Sequence, residues 1–159
     1  MGLDMYLSRN KYVSVYDFKK HDCKAKKVEI ITKLHFADGD TQTQTEFVEN
    51  PTHCAKFELP VAYWRKANQI HNYFVQECGN GDDNCKPIHV RGSQLKELVE
   101  RCKKILDNPS LAKELLPTKA GFFFGSTDYD EYYMDDLKDT LEQLKDCDFD
   151  EDYTYNASW

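Results

Sequence analysis

The chain has 159 residues, of which 40% are hydrophobic and 31% are charged, and its net charge is −7. This length and composition predict one globular domain, residues 1–159, with a well-solvated surface. Acidic residues far outnumber lysines between Asp128 and Asp152. Because an acidic surface repels phosphate groups, the composition argues against nucleic acid and anionic membranes as partners.

The first third of the chain has the residue patterns of β-strands. Leu3, Met5 and Leu7 alternate with more polar residues, which is typical of a half-buried strand. Two further strands are predicted to form a hairpin, because β-branched and alternating residues flank a glycine-containing turn. The predicted strands are residues 3–7, 28–36, 41–48 and 56–59, with a loop over 19–27 and the turn over 37–40.

A long helix is predicted next, over residues 61–78. Pro60 can occupy the first turn, where its missing N–H costs little. The predicted buried stripe of this helix is Tyr63, Ala67, Ile70 and Phe74. A glycine- and asparagine-rich loop over residues 79–84 follows.

The second half of the chain alternates helices and strands. A short strand is predicted over 88–90, and Ser93 is predicted to cap a helix that Pro109 ends. Gly121 to Ser126 is predicted to be a central strand, and Asp128 with Glu131 a capping box for a further helix. The remaining predictions are a helical piece over 111–116 and a final strand within 149–159. Together these elements predict an α+β fold, with a mostly antiparallel β-sheet packed against about three α-helices.

Targeting and cysteine patterns give weaker indications. Residues 1–5 lack the basic and apolar segments of a signal peptide, and no apolar run approaches the roughly 20 residues of a membrane span, so we expect a cytoplasmic protein. The six cysteines form no C-x-x-C pair. Cys78, Cys85 and His89 match no common zinc spacing, so we expect no metal and no cofactor.

The first candidate site is the row Trp64, Asn68 and His71, with Arg65 and Lys66 beside it. On a helix these three would share one face, because their spacing is i, i+4 and i+7. Trp64 would stack on a ring, the two cations would meet phosphate, and the amide and imidazole would give directional hydrogen bonds. The alternative interpretation is structural: Trp64 packs on the sheet and His71 makes a buried hydrogen bond.

The second candidate site is Gly121 through Tyr129, and its candidate residues are Phe124, Gly125, Ser126 and Tyr129. A glycine there would let the backbone approach a ligand closely. Ser126 would donate a hydrogen bond near a helix N-terminus that favours anions, and Tyr129 would stack on a ring. The alternative is that the glycines serve packing and that Asp128 is only an N-cap.

No catalytic motif is present, so no catalytic residue is assigned. The chain contains no G-x-S-x-G, H-E-x-x-H or G-x-G-x-x-G pattern. His71 is the one candidate for a general acid or base, and no spacing links it to another histidine. We therefore favour a non-catalytic role.

Several blocks of the chain resemble a family of small uncharacterised phage and prophage proteins. The blocks are Met1-Gly2-Leu3-Asp4-Met5-Tyr6, Ala62-Tyr63-Trp64-Arg65-Lys66 with Ile70-His71, Gly121-Phe122-Phe123-Phe124-Gly125-Ser126 with Tyr129, and Ala157-Ser158-Trp159. The resemblance implies a phage setting, and hence the host cytosol. Small phage proteins often counter host defences, and some sequester nucleotide-derived immune signals.

Three functions are therefore considered. The leading hypothesis is a protein that binds a small nucleotide-like immune signal and so blunts a bacterial defence. The second is an inhibitor that docks its acidic, tyrosine-rich C-terminal third on a host defence protein, and the third is a small nucleotide-cleaving enzyme that uses His71. A homo-oligomer is compatible with the leading hypothesis, because small binding proteins gain burial at shared pockets.

Overall fold

The computed structural model describes residues 2–14, 16–17, 22–23, 27–35, 41–49 and 54–159. Its compact units are Met1–Asn10 with Glu58–Trp159, and Lys11–Phe57. The strands are β1 Asp4–Ser14, β2 Tyr16–Asp17, β3 Asp22–Cys23, β4 Lys27–His35, β5 Thr41–Glu49, β6 Cys54–Arg65, β7 Ile88–Val90 and β8 Tyr153–Ser158. The α-helices are α1 Asn68–Tyr73, α2 Gly92–Asp107, α3 Ala112–Leu115 and α4 Glu131–Leu144.

The first unit contains a four-stranded sheet in the order β6-β1-β8-β7. Strand β8 pairs antiparallel with β1 on one side and with β7 on the other, so that Tyr155 lies opposite both Leu7 and Ile88. Leu3, Met5 and Leu7 are buried, whereas Tyr6 is exposed. The α+β prediction, the first strand and the final strand are therefore confirmed.

The helices of the first unit bury their apolar stripes against this sheet and against each other. Leu95, Leu98, Cys102 and Ile105 are fully buried on α2, at the i, i+3, i+7 and i+10 positions that line one helix face. The buried residues of α4 are Tyr133, Leu137, Thr140 and Leu144. All of the buried apolar residues named here belong to one hydrophobic core.

The predicted helix over residues 61–78 is wrong in its first third. Strand β6 continues to Arg65, with Trp64 buried and Tyr63 exposed, which is the alternation of a strand. The backbone then turns at Lys66, whose N–H donates to the carbonyl of Leu3 over 2.8 Å. Helix α1 begins only at Asn68 and continues as a π-helical turn, Phe74–Cys78. Pairing in the sheet therefore overrides the helical pattern.

Residues 121–126 are not the predicted central strand. The N–H of Phe124 donates to the carbonyl of Gly121 in a turn, and Gly125 has a φ of 86°. The predicted capping box is also wrong, because Asp130 is the N-cap of α4 and its carboxylate accepts from the N–H of Tyr133. Helix α2 begins at Gly92, so Ser93 lies inside the helix and does not cap it.

The second unit includes the predicted hairpin. Strands β4 and β5 pair antiparallel, from Lys27 opposite Glu49 to His35 opposite Thr41. The ammonium group of Lys27 lies 3.5 Å from the centre of the Phe47 ring. Strands β2 and β3 pair in a separate two-stranded sheet. The turn predicted over 37–40 lies outside the described residues, as does most of the loop predicted over 19–27. The single domain stays a prediction.

Over the described parts of the chain, none of the helices combines the length and the apolar character that crossing a membrane requires.

Gly92 offers a test of this packing, because a methyl group there has no room. A Cβ at Gly92 would lie 2.1 Å from the carbonyl oxygen of Phe149 and 2.6 Å from that of Glu151. Gly→Ala within a helix ordinarily stabilises by about 0.5–1 kcal/mol. We predict that Gly92→Ala instead lowers the free energy of unfolding by more than about 2 kcal/mol, as overpacking does.

The matched control is Gly2→Ala, whose new methyl would meet only the flexible ends of Lys66 and Arg65. Urea unfolding of both variants measures the difference. A Gly92→Ala variant as stable as the Gly2→Ala variant would contradict the packing described here.

Candidate functional site

A polar cleft of about 360 Å³ lies between the turn that follows β6 and the start of α4. It brings together part of both predicted sites. The predicted site residues that line it are Arg65, Lys66, Asn68, Gly125 and Ser126. The structure thus places side chains that are about 60 positions apart in the sequence around one cavity.

One wall of the cleft is cationic and comes from Arg65 and Lys66. The Arg65 side chain is 60% exposed, and its Nε lies 3.8 Å from a carboxylate oxygen of Asp4. Lys66 is exposed and forms no ion pair with the described residues. Its backbone φ is 62°, a left-handed conformation that residues other than glycine rarely adopt. Strained backbone of this kind concentrates at functional sites.

Asn68 holds the cleft together through three hydrogen bonds. Its Nδ2 donates to the carbonyl of Phe124 over 3.0 Å and to that of Ser126 over 2.7 Å. Its Oδ1 accepts from the N–H of Lys119 over 3.0 Å. The amide is buried and fully engaged with backbone, so Asn68 shapes the cleft and has no remaining donor for a ligand.

Gly125 lets the two walls approach. At its φ of 86° a side chain would be strained, and a Cβ would lie 3.3 Å from the Cβ of Lys66. Next to it, the hydroxyl of Ser126 donates to a carboxylate oxygen of Asp128 over 3.1 Å. The loop is therefore fitted closely against the turn that carries the cations.

The opposite wall of the cleft is acidic and aromatic. Asp128, Asp130 and Asp136 line it, together with Gln69, Tyr132 and Tyr133. Tyr132 is 81% exposed, so its ring is open to a ligand. The cleft therefore places two cations opposite three carboxyl groups, with an aromatic ring at its rim.

Asp136 differs from the other two carboxyl groups of this wall. Its Oδ2 accepts from Nε2 of Gln69 over 2.8 Å, and burial raises its pKa to about 6. Nearby aspartates, Asp139 first among them, raise the pKa further, while the hydrogen bond from Gln69 lowers it. This carboxyl group thus changes charge close to neutral pH.

Trp64 and His71 do not line the cleft, because both are buried in the core. The indole N–H of Trp64 donates to the hydroxyl of Thr140 over 2.9 Å. The Nδ1 of His71 lies 2.7 Å from the hydroxyl of Tyr155, and its Nε2 lies 3.1 Å from a carboxylate oxygen of Asp83. This arrangement agrees with the structural alternative for these two residues.

The predicted site residues Phe124 and Tyr129 also lie outside the lining of the cleft. Phe124 is buried, and its ring meets the ring of His71 edge-on at 5.0 Å. The Tyr129 ring lies 5.0 Å from that of Tyr133, and its hydroxyl accepts from the N–H of Thr118 over 3.2 Å. Both residues support the loop and helix that form the cleft.

The acidic wall is not among the site residues predicted from the sequence. Tyr132, Tyr133 and Asp136 are spaced at i, i+1 and i+4, so Tyr132 and Asp136 lie on one face of α4. This periodicity was the available signal. Gln69 gave none, because a glutamine beside an asparagine carries no chemical pattern of its own.

A second and larger groove of about 770 Å³ lies over β1 and β6, away from the predicted site residues. The rings of Tyr6 and Tyr63 lie 5.2 Å apart in it. Among the residues that the structure describes, no three His, Cys, Asp or Glu side chains are grouped to hold a metal ion.

Comparisons with protein families, with curated proteins and with solved structures found no match to this chain.

From the hydrogen bonds of Asn68 we predict how a near-isosteric substitution changes the stability of the protein. Asn68→Asp would replace two donors by a carboxylate that faces two carbonyl oxygens. We predict that it lowers the free energy of unfolding by about 3 kcal/mol, since a buried charge and unpaired polar groups both cost free energy. Denaturant unfolding at pH 7 measures the loss.

Asn72→Asp is the control, because Asn72 is half-buried and donates one hydrogen bond, to the carbonyl of Pro117. Its expected loss is below about 1 kcal/mol. Equal losses at the two positions would show that Asn68 does not hold the cleft together.

The lowered pKa of His71 leads us to predict that the folded protein is less stable in acid. Burial lowers its pKa from the ordinary value of 6.5, with Lys119 adding to the effect and Asp83 opposing it. The unfolded chain therefore takes up a proton that the folded protein resists. The stability contribution is present above pH 6.5 and is lost as the pH falls toward the lowered pKa.

Asp136 titrates with the opposite sign, because its raised pKa favours folding in acid, so the measurement uses the Asp136→Asn background. Between pH 7 and pH 5 we expect Asp136→Asn to lose about 1 kcal/mol more unfolding free energy than Asp136→Asn/His71→Gln. Parallel pH profiles of the two proteins would contradict the prediction.

Proposed function

We propose that the protein binds a small nucleotide-like molecule in the polar cleft and releases it unchanged. The observation that carries the proposal is the opposition of Arg65 and Lys66 to a carboxyl-lined wall, with the exposed ring of Tyr132 at the rim. A nucleotide has matching parts: an anionic phosphate at one end and a flat base with polar edges at the other.

The charges of the cleft favour one orientation of the bound nucleotide. Phosphate oxygens suit the guanidinium of Arg65 and the ammonium of Lys66. The same oxygens would be repelled by Asp128 and Asp130 on the other wall. The base therefore lies toward α4, where Tyr132 can stack on it and Asp136 can accept hydrogen bonds from its N–H groups.

The biological role that we propose is sequestration of a nucleotide-derived immune signal during phage infection. Support for this part comes from the resemblance of four sequence blocks to phage and prophage proteins. Two of those blocks contain cleft residues: Arg65 and Lys66 in one, Gly125 and Ser126 in the other. A binding cleft without a catalytic histidine suits capture of a signal.

The geometry gives catalysis by His71 little support. The side chain is 1% exposed, and both ring nitrogens have partners within the protein. A general acid or base must reach its substrate directly or through one water. We therefore propose binding without turnover.

The proposal is tested by titrating AMP, GMP, CMP and UMP into the purified protein in a calorimeter. We expect at least one to bind with a 1:1 stoichiometry, and Lys66→Gln to weaken that binding about tenfold through loss of a phosphate contact. Binding of none of the four nucleotides would overturn the proposal.

Lys138→Gln is the matched control. Lys138 lies on the exposed face of α4, pairs with Asp135 and does not line the cleft. Its removal changes the net charge as Lys66→Gln does, so it separates a local contact from a general charge effect. Equal weakening by both variants would contradict the assignment of phosphate to Lys66.

Docking on a host defence protein is the second candidate function, and the exposed aromatic ring of Phe122 favours it. Phe122 is 94% exposed, and its ring meets that of Phe123 edge-on at 4.7 Å. Exposed aromatic residues are typical anchors of protein interfaces. If Phe122→Ser abolishes protection of phage from a nucleotide-signalling defence while nucleotide binding is unchanged, docking is favoured.

A further inference from the structure

Two side chains that line the cleft, Asp136 and Gln69, form a fixed pair. Gln69 belongs to α1 and Asp136 to α4, and the 2.8 Å hydrogen bond from Nε2 to Oδ2 joins the two helices inside the cleft. Gln69 is only 2% exposed, so its amide has little freedom to rotate. The pair is therefore held in one orientation.

The hydrogen bond leaves two acceptors on the pair, together with the second N–H of the Gln69 amide as a donor. The Oδ1 of Asp136 and the Oε1 of Gln69 have no hydrogen-bond partner among the described residues. Neither atom is one of the fully buried atoms that lack a partner. Both residues line the cleft, so two neighbouring acceptors are available to a ligand there.

We propose that the Gln69–Asp136 pair selects a base with two adjacent N–H donors, the pattern that guanine presents at N1 and its exocyclic amine. The inference rests on the proposed function and adds the identity of the base. Two parallel hydrogen bonds to a carboxylate-containing pair give strong and directional recognition. Adenine and uracil lack this donor pair, so they leave one or both acceptors unsatisfied.

The charge around the pair supports the same choice. Asp128 and Asp130 line the same wall, and the cations Arg65 and Lys66 line the other. A wall with three carboxyl groups favours hydrogen-bond donors and disfavours acceptor atoms such as N1 of adenine. Burial also raises the pKa of Asp136, because it disfavours the charged carboxylate. A ligand that donates a hydrogen bond to this carboxylate would stabilise its charged form.

The test compares GMP, IMP and AMP by calorimetry at pH 7.5. GMP has both donors, IMP lacks the exocyclic amine and AMP lacks the N1 hydrogen. We expect the affinity to fall in the order GMP, IMP, AMP, with about a tenfold loss from GMP to AMP. Equal binding of the three nucleotides would overturn the inference and leave the proposed function standing; binding of none would overturn both.

Asp136→Asn is the decisive variant, because it converts one acceptor into a donor without changing size. We expect it to weaken GMP binding about tenfold and AMP binding less than threefold. Asp107→Asn is its control, since Asp107 is exposed on α2 and does not line the cleft. A loss of GMP affinity in both variants, or in neither, would contradict recognition by the pair.

Folding of Asp136→Asn is checked in the same samples by denaturant unfolding. Because burial disfavours the ionised form of Asp136, the neutral amide is expected to be at least as stable as the wild type at pH 7.5. If the Asp136→Asn variant folds and still binds AMP but no longer prefers GMP, it has lost only the recognition of the base.

Discussion

The structure of the cleft depends on one buried amide. Asn68 joins the start of α1 to the loop around Phe124 and Ser126, and it also receives the backbone N–H of Lys119. Buried backbone carbonyls need hydrogen-bond donors, and this loop has no strand partner to supply them. A single side chain thus satisfies the loop and fixes the distance between the two walls.

Two backbone features follow from this constraint. Lys66 turns the chain from β6 into α1 in a left-handed conformation, and Gly125 turns the facing loop with a positive φ. The glycine is needed because a Cβ at that position would press on the Cβ of Lys66. The cations and the loop can therefore lie close together only because one of the two turns lacks a side chain.

Two buried residues, Trp64 and His71, connect the elements that form the cleft. Trp64 anchors β6 to α4 by its hydrogen bond to Thr140, so the strand that ends at Arg65 and the helix that contains Asp136 are joined. His71 joins α1 to Tyr155 of β8 and to Asp83. These two residues stabilise the geometry of the site without lining it.

The sequence predicted the first strand, the β4–β5 hairpin, the final strand and the later helices, but it misplaced the junction between β6 and α1 and predicted a strand over residues 121–126 that does not form. Val61 to Arg65 suits a helix or a strand, and the choice is made by β1 and by the contact of Lys66 with Leu3, which lies some 60 residues away in the chain. Local patterns contain no information on such a partner.

The structure places part of the predicted site residues at the cleft and part of them in the core. Arg65, Lys66, Gly125 and Ser126 line the cleft without sharing a helix, because the turn after β6 and the loop around Gly125 lie close together. Trp64 and His71 depended on sharing a helix face with Asn68, and the strand removed that face. Asp136 and Tyr132 were overlooked because acidic and aromatic residues at a helix start usually face solvent.

The central claim is that the cleft holds a small nucleotide-like molecule intact. The most direct measurement is mass spectrometry of the small molecules that heat releases from protein purified from phage-infected cells with a nucleotide-signalling defence. We predict one intact nucleotide-like compound in near-stoichiometric amount from the wild type, and its absence from an Arg65→Gln/Lys66→Gln variant. An empty wild-type protein, or release of a cleaved product alone, would contradict it.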